Sequence, residues 1–205
     1  VGSEMCIRDR LQTDHVDIYL IHWRDHTPPM DETVEAMTDV VRSGKARYWG
    51  VCNYKAWEAC RALWLADKAV APGFITMQNQ YSLLHREPEL EILPFCGEIG
   101  SGLMAFAPLA VGVLSGDLQQ GQPAPLGTLW ARQSHDEFAN AITDTDQQVI
   151  NTLREIAAAH DRDPTAVAVS QVPRVVAMMG SRRRRPATSA PVDRCRSRPP
   201  WSMMH

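Results

Sequence analysis

The stretch that decides the fold is VDIYLIHW at residues 16–23, followed by ARYWGVC at 46–52. Both are short and mostly apolar, which is typical of parallel strands covered on both faces. The segment between them predicts a helix over 31–43 that ends at Gly44. The apolar face of this helix consists of Val34, Met37, Val40 and Val41. The order of strand, helix and strand predicts a βαβ unit.

Three more strands are predicted, at 74–81, 102–107 and 175–180, so the chain carries five strands in alternation with helices. This alternation predicts an α/β protein with a parallel sheet. Two architectures fit it: an open doubly wound sheet, and a (β/α)8 barrel, which needs eight strands. The sequence contains neither the glycine-rich fingerprint GxGxxG nor a P-loop. The pattern alone therefore leaves the choice between the two architectures open.

The predicted helices also have recognisable faces and caps. A helix over 55–66 is expected to pack through one side, which holds Trp57, Cys60, Leu63 and Trp64. Thr145 and Gln148 fit a capping box for a helix over 146–159. The buried stripe of that helix is predicted to be Val149, Leu153 and Ile156. Asp163 followed by Pro164 predicts the start of one more helix.

Composition and charge exclude several classes of protein. The 205 residues are 44% hydrophobic and 22% charged, as in a globular protein, and no apolar run is long enough to cross a bilayer. Five scattered cysteines without CxxC spacing favour a reducing compartment. Residues 182–205 hold seven arginines and one aspartate, a charge of +6 that leaves −9 on residues 1–181. Because no aromatic residues alternate with these arginines, we do not expect a nucleic-acid-binding arm.

Polar side chains stand where the first three predicted strands end, and ligands of parallel sheets gather at the carboxyl edge. His22 is the last residue of the first strand, predicted over 16–22, Cys52 and Asn53 close the second, and Gln78 lies in the third. Each has an ordinary structural explanation as well. A histidine at a sheet edge finds local hydrogen bonds, and an asparagine after a strand often caps the next helix. A glutamine that points inward from a strand needs a hydrogen-bond partner. For Gln78, a ligand-binding role and a structural role are therefore equally well supported.

The last two predicted strands end in further candidates. Phe106 is placed either to stack on a planar ligand or to fill the core. Gly180, Ser181 and Arg182 offer backbone N–H groups, a hydroxyl and a guanidinium, a combination that suits a phosphate. Arg182 also begins an arginine run, so a chance occurrence competes with that interpretation. The spacing of the histidines does not indicate a metal site.

Several of these segments, in this order and spacing, resemble the aldo-keto reductase family, in its bacterial and channel-β-subunit-like branch. The resemblance covers about residues 11–182. The matching segments are LQTDHVDIYLIHW (11–23), RSGKARYWGVCN (42–53), QNQYSLLHR (78–86), LMAFAPLAVGVLSG (103–116) and the strand and turn at 175–182. The resemblance implies a (β/α)8 TIM barrel, of which this chain holds strands four to eight and lacks the first three. It also implies a cytoplasmic, NADPH-dependent (NADP) oxidoreductase that reduces a small-molecule aldehyde or ketone.

The resemblance assigns a role to each candidate residue. His22 matches the active-site histidine that orients the substrate carbonyl, and Trp23 is expected to form a wall of the substrate pocket. Residues matching the cofactor site are Cys52, Asn53, Gln78, Phe106, Ala107, Pro108, Leu109, Gly112, Leu114, Ser115, Gly180, Ser181 and Arg182. Asn53 and Gln78 match the residues that hold the nicotinamide carboxamide, and Phe106 matches the aromatic residue that stacks under the nicotinamide ring. The loop over 109–115 matches the loop over the pyrophosphate. Ser181 and Arg182 match the turn that holds the 2′-phosphate. Two residues depart from the family: a cysteine replaces serine at 52, and a phenylalanine replaces tyrosine at 106.

The resemblance also divides the chain into three parts. Residues 1–10 match nothing in the family, residues 11–182 form the partial barrel, and residues 183–205 are interpreted as a basic tail that is disordered or out of frame. The family's catalytic Asp, Tyr and Lys lie upstream of the histidine strand. We therefore expect the chain by itself to be nearly inactive, because general acid catalysis typically supplies roughly 10²–10⁴-fold.

Two rival hypotheses remain. One is a non-catalytic, NADPH-binding β subunit or regulatory module, and the other is an unrelated barrel enzyme with His22 as general base. The partners expected are a small-molecule carbonyl substrate, no nucleic acid and no membrane, with the oligomeric state open.

Overall fold

The computed structural model describes residues 11–122 and 142–171, together with the backbone of 175–178. Five strands form one sheet in the order β1-β2-β3-β4-β5, and every neighbouring pair is parallel. The strands are β1 (Val16–Ile21), β2 (Ala46–Cys52), β3 (Thr76–Gln80), β4 (Gly102–Phe106) and β5 (Val175–Met178). This confirms the five predicted strands. The positions of these strands within a complete barrel stay a prediction.

Helices connect the strands in the predicted alternation. They are α1 (Met30–Arg42), α2 (Ala56–Lys68), α3 (Ile92–Ile99), α4 (Asp144–Ala159) and α5 (Pro164–Ser170), with short 3-10 helices at Glu87–Glu89 and Ala110–Ser115. Each strand pairs with the strand that follows it in the chain, so the described sheet has no reversal of strand order. A doubly wound sheet requires such a reversal, whereas a barrel adds its strands in sequence. The topology therefore favours the barrel.

The described residues form two apolar cores, of which the first covers the helix side of the sheet. The first lies between β1–β4 and helices α1–α3, and its largest buried side chains include Trp49 and Met77. The second joins the 3-10 helix at Ala110–Ser115 to α4 and α5, around Leu114 and Ile150. Because parallel strands must be covered by their crossover helices, the first core fixes the four strands that carry the candidate site.

The packing face of α2 differs from the prediction. Trp57 and Trp64 are 52% and 55% exposed, and the buried apolar residues of the helix are its alanines. These residues are Ala56, Ala59, Ala62 and Ala66. Small side chains let the helix approach its neighbours closely, while the two indoles lie outside under the cations of Arg24 and Lys68. The prediction that the tryptophan face packs is therefore wrong.

The start of α4 also differs from the prediction. The helix is capped by Thr143, two residues before the predicted cap. The hydroxyl of Thr143 accepts a hydrogen bond from the Asp146 N–H, and the Asp146 carboxylate accepts one from the Thr143 N–H. An aspartate thus performs the role expected of Gln148. The buried stripe moves accordingly to Ile150, Leu153 and Ala157.

Two further expectations have opposite outcomes. The cap at Asp163 is confirmed, because its carboxylate accepts a hydrogen bond from the Thr165 N–H and Pro164 is the first residue of α5.

The expectation that β1 is covered on both faces is wrong for the middle of the strand, where Ile18 and Tyr19 are 37% and 42% exposed. Within the described residues β1 pairs only with β2, so less of the chain covers it.

Candidate functional site

One face of the sheet carries a row of candidate residues across its carboxyl edge. Cys52 of β2 is in register with Gln78 of β3, and Gln78 is in register with Met104 of β4. His22 follows Ile21, which is in register with Val51, so it extends the same row by one strand. Residues one position earlier in each strand belong to the first core on the opposite face. The row therefore faces away from the helices, on the side that would be the interior of a barrel.

The His22 segment lies just beyond the end of β1. The His22 side chain is exposed, and its ring meets the Trp23 ring edge to face at a centroid separation of 5.9 Å. The backbone carbonyl of His22 accepts a hydrogen bond from the Asn53 Nδ2 at 3.1 Å. This bond joins the chain after β1 to the chain after β2, so it brings two predicted site residues together.

Cys52 and Gln78 contact each other directly. The Cys52 thiol, which is buried, donates a hydrogen bond to the Gln78 Oε1 at 3.3 Å. This bond fixes the position of the Gln78 amide oxygen at the edge of the sheet. The backbone continues the connection, because the Asn53 N–H donates to the Gln78 carbonyl at 2.9 Å. Asn53 itself has a φ of 59°, the left-handed conformation that asparagine tolerates better than most residues.

Phe106 ends β4 in register with Gln80, and its ring is half-buried. Because Gln80 and Gln78 are two residues apart on one strand, Phe106 lies on the same face of the sheet as the row. Its backbone carbonyl accepts a hydrogen bond from the Tyr81 N–H at 3.3 Å. The phenyl ring is thus held at the same edge as the amides.

The loop after β4 concentrates backbone strain. Ala107, Ala110 and Val111 have φ values of 51°, 48° and 58°, and Gly112 has 98°. Positive φ is costly for residues with a Cβ, and above all for a β-branched one, so such clusters are typical of functional segments. The family resemblance predicts that residues 109–115 of this loop lie over the pyrophosphate.

The other predicted residues of this loop have defined places. Pro108 is buried, and Leu109 packs at the margin of the second core. Leu114 is fully buried in that core, so a ligand can meet only its backbone. The Ser115 hydroxyl donates to the Gly112 carbonyl at 2.8 Å and closes the loop on itself. Gly180, Ser181 and Arg182 lie outside the described residues, as do residues 1–10 and 183–205.

A cleft of about 400 Å³ opens beside the row, between the ends of β2 and β3 and the segment from His85 to Ile92. Trp23 and Asn53 line it together with Asn79, whose Nδ2 donates to the Tyr54 carbonyl at 3.3 Å. Among the described residues, the Asn79 Oδ1 is the one buried side-chain polar atom without a hydrogen-bond partner. Asn79 is not among the residues predicted for the site, because the pairing of its amide depends on the fold.

The thiols of the described residues differ in burial. Burial raises the pKa of the Cys52 thiol to about 11, whereas Cys60 is exposed on α2. We expect iodoacetamide at pH 8 to alkylate Cys60 at least about tenfold faster than Cys52, because the thiolate is the reactive form and Cys52 holds little of it. Peptide mass spectrometry over a time course measures both rates. Equal rates in the folded chain would contradict the burial of Cys52.

Two kinds of site are not found in the described part of the chain. Residues 11–122 and 142–171 hold no group of three His, Cys, Asp or Glu side chains placed to bind a metal ion. None of the helices in these ranges is long and apolar enough to cross a membrane.

The parallel sheet and the polar row at its carboxyl edge define an α/β protein of the TIM-barrel type. The sequence profile described as "Aldo/keto reductase family" matches residues 6–188, so the chain belongs to the aldo/keto reductase family. The profile match begins before and ends after the predicted partial barrel at 11–182.

Known proteins agree with this assignment. The "Uncharacterized oxidoreductase YrpG" of Bacillus subtilis is 44% identical over 107 residues, which are 52% of this chain and 33% of that protein. A rice protein, "Probable voltage-gated potassium channel subunit beta" of Oryza sativa subsp. japonica, is 35% identical over 151 residues, 73% of this chain and 46% of that protein. The solved glycerol dehydrogenase of Gluconobacter oxydans superposes with a TM-score of 0.72 at 23% identity, over 88% of this chain and 54% of that one, and shows the shared fold.

The chain thus spans between about a third and about a half of the length of the proteins it matches. Its family supports an oxidoreductase function.

Proposed function

We propose that this chain is part of a cytoplasmic oxidoreductase that uses NADPH to reduce an aldehyde or a ketone to an alcohol. The observation that carries the proposal is the row at the carboxyl edge, where His22, Cys52 and Gln78 stand on successive strands of one face. Membership of the family supports the class of reaction. The three described cysteines, which are all free thiols, agree with a reducing compartment.

The chemistry of the donor set fits a nicotinamide. A carboxamide needs a donor for its oxygen and an acceptor for its NH2 group. The Cys52 thiol donates to the Gln78 Oε1, so these two side chains form one polar group, and Asn53 adds a second amide beside them. Phe106, at the same edge, offers a flat apolar surface on which the ring can stack. The strained loop after β4 supplies backbone groups for the pyrophosphate, and Ser181 with Arg182 are proposed for the 2′-phosphate.

Bound NADPH would supply the hydride that reduces the carbonyl carbon. The residues of the chain then bind and orient the reactants. The His22 imidazole would donate a hydrogen bond to the carbonyl oxygen and stabilise the charge that develops on it. Trp23, whose indole is 62% exposed next to His22, would form a wall of the substrate site. The proton donor is proposed to come from a tyrosine upstream of the histidine strand, as the resemblance implies.

A test of the proposal measures NADPH binding to the purified 205-residue chain by quenching of tryptophan fluorescence. We expect saturable quenching, and a dissociation constant at least about tenfold higher in Gln78→Ala, equivalent to about 1.4 kcal/mol. The matched control is Gln12→Ala, which removes an exposed glutamine that precedes β1 and so lies near the opposite edge. Absence of saturable quenching in a chain whose circular dichroism shows it folded overturns the proposal.

A second candidate function is a non-catalytic NADPH-binding module. The similarity to the rice channel subunit favours it. Both candidate functions include NADPH binding. They differ in that the enzyme requires the catalytic Asp, Tyr and Lys, whereas the module does not. Sequencing the genomic DNA upstream of this reading frame separates them. A family strand with Asp, Tyr and Lys in place supports the enzyme, and a family sequence lacking these residues supports the module.

A further inference from the structure

A largely buried ion pair links Arg24, two residues after His22, to Glu58 of α2. The Arg24 Nη1 donates to the Glu58 Oε1 at 2.5 Å, and the two side chains are only 17% and 8% exposed. The other carboxylate oxygen of Glu58 accepts from the Lys55 N–H at 3.0 Å and closes the first turn of α2. The guanidinium of Arg24 also lies over the Trp57 ring, 5.4 Å from its centroid. Arg24 is therefore held by two residues of one helix.

The same segment is tied down at its other end. The His22 carbonyl accepts from the Asn53 side chain, so the three residues 22–24 are attached to the end of β2 on one side and to α2 on the other. Between these two attachments the side chains of His22 and Trp23 point out at the edge of the sheet and contact each other. The segment that carries the imidazole and the indole is thus attached on both sides.

A contribution to folding stability does not explain why the chain has this ion pair. Desolvation of two charges generally offsets their attraction, so a buried ion pair is often no more stabilising than apolar residues of similar size. The pKa of the Glu58 carboxyl is nevertheless lowered: burial by itself would raise it, and the Lys55 and Arg24 hydrogen bonds outweigh burial. The Glu58 carboxyl is therefore ionised at neutral pH. By contrast, Arg47 and Asp17 form a solvent-exposed ion pair, with side chains 63% and 76% exposed. This pair contacts none of the candidate site residues.

We propose that Arg24 and Glu58 are positioning residues that fix the orientation of His22 and Trp23 at the edge of the sheet. The catalytic importance of this role rests on the proposed function, because an imidazole that orients a substrate carbonyl must itself be held in place. A misplacement of about 1 Å at a reacting group costs on the order of 10²-fold in rate. The geometry assigns that role to the ion pair.

The test uses the double variant Arg24→Met/Glu58→Gln. Glutamine keeps the hydrogen bond to the Lys55 N–H, because it also serves in a capping box, and methionine keeps most of the apolar stem of arginine. Removing both charges leaves no unpaired buried ion, so global stability is expected to change little. The control is Asp17→Asn, which breaks the surface pair with Arg47.

The readout is NMR of the purified chain, which needs no activity. We expect backbone order parameters of residues 22–24 to fall from about 0.85 to below about 0.6 in the double variant, and the His22 ring protons to lose the ring-current shift from Trp23. The control should change neither signal. Unchanged order parameters and an unchanged His22 shift in the double variant overturn the inference. Failure of the chain to bind NADPH would overturn the proposed function instead, and the NMR result would stand.

Discussion

Replacing Trp49 by alanine is expected to lower the free energy of unfolding by about 3–5 kcal/mol, the usual cost of truncating a buried aromatic residue. Trp49 is 1% exposed in the first core and meets Phe74 edge to face at 5.7 Å. Its indole N–H donates to the Pro72 carbonyl at 2.8 Å, so the substitution also removes the donor for that carbonyl. Urea denaturation followed by circular dichroism measures the change.

The matched control for this prediction is Trp64→Ala. Trp64 lies on α2, is 55% exposed and contacts the Lys68 cation at 5.3 Å. A partly exposed cation–π contact contributes roughly 0.5–1 kcal/mol, so the control should lose about that much. Similar losses for both variants would mean that Trp49 is not the interior residue described above.

Replacing Gly50 by alanine is expected to destabilise the chain by about 1–3 kcal/mol through overpacking. Gly50 lies in β2, on the face of the sheet that carries the row. A Cβ there would come within 2.6 Å of a Leu20 methyl, 2.7 Å of the Thr76 methyl and 2.8 Å of the Thr76 backbone oxygen. The leucine side chain can move away, but a strand carbonyl cannot without disturbing the parallel ladder. Thermal and urea unfolding of the variant measure the loss.

The matched control is Gly97→Ala. Gly97 lies within α3, and a Cβ built on it meets no heavy atom within 4 Å. Because alanine is favoured over glycine in a helix by roughly 1 kcal/mol, this control should leave stability unchanged or raise it. A stabilising effect of Gly50→Ala would contradict the close contacts between β1, β2 and β3.

The strands of this chain were predictable because apolar runs report burial directly. All five appear close to their predicted ranges, and the capping aspartate before Pro164 was found because its geometry is local. The packing face of α2 was missed for a physical reason. Hydrophobic periodicity weights large side chains, and alanine signals burial weakly, although it is the residue that permits close approach of a helix.

The candidate site was predictable in part. Parallel strands put His22, Cys52 and Gln78 at one edge of the sheet, and that inference needs no coordinates. The bond from the Cys52 thiol to Gln78, and the unpaired oxygen of Asn79, depend on side-chain directions that only the packed sheet sets. The Arg24–Glu58 pair joins residues 34 positions apart, and single-sequence patterns do not report such contacts.

The alanine face of α2 has a consequence for how this sequence can change over time. Ala59 is completely buried, and any larger side chain there would push the helix away from the sheet, whereas Trp57 and Trp64 project beyond it. Natural variants should therefore accept replacement of the two bulky aromatics well before they accept replacement of the smallest residues. In this helix we therefore expect the small buried alanines to tolerate substitution least.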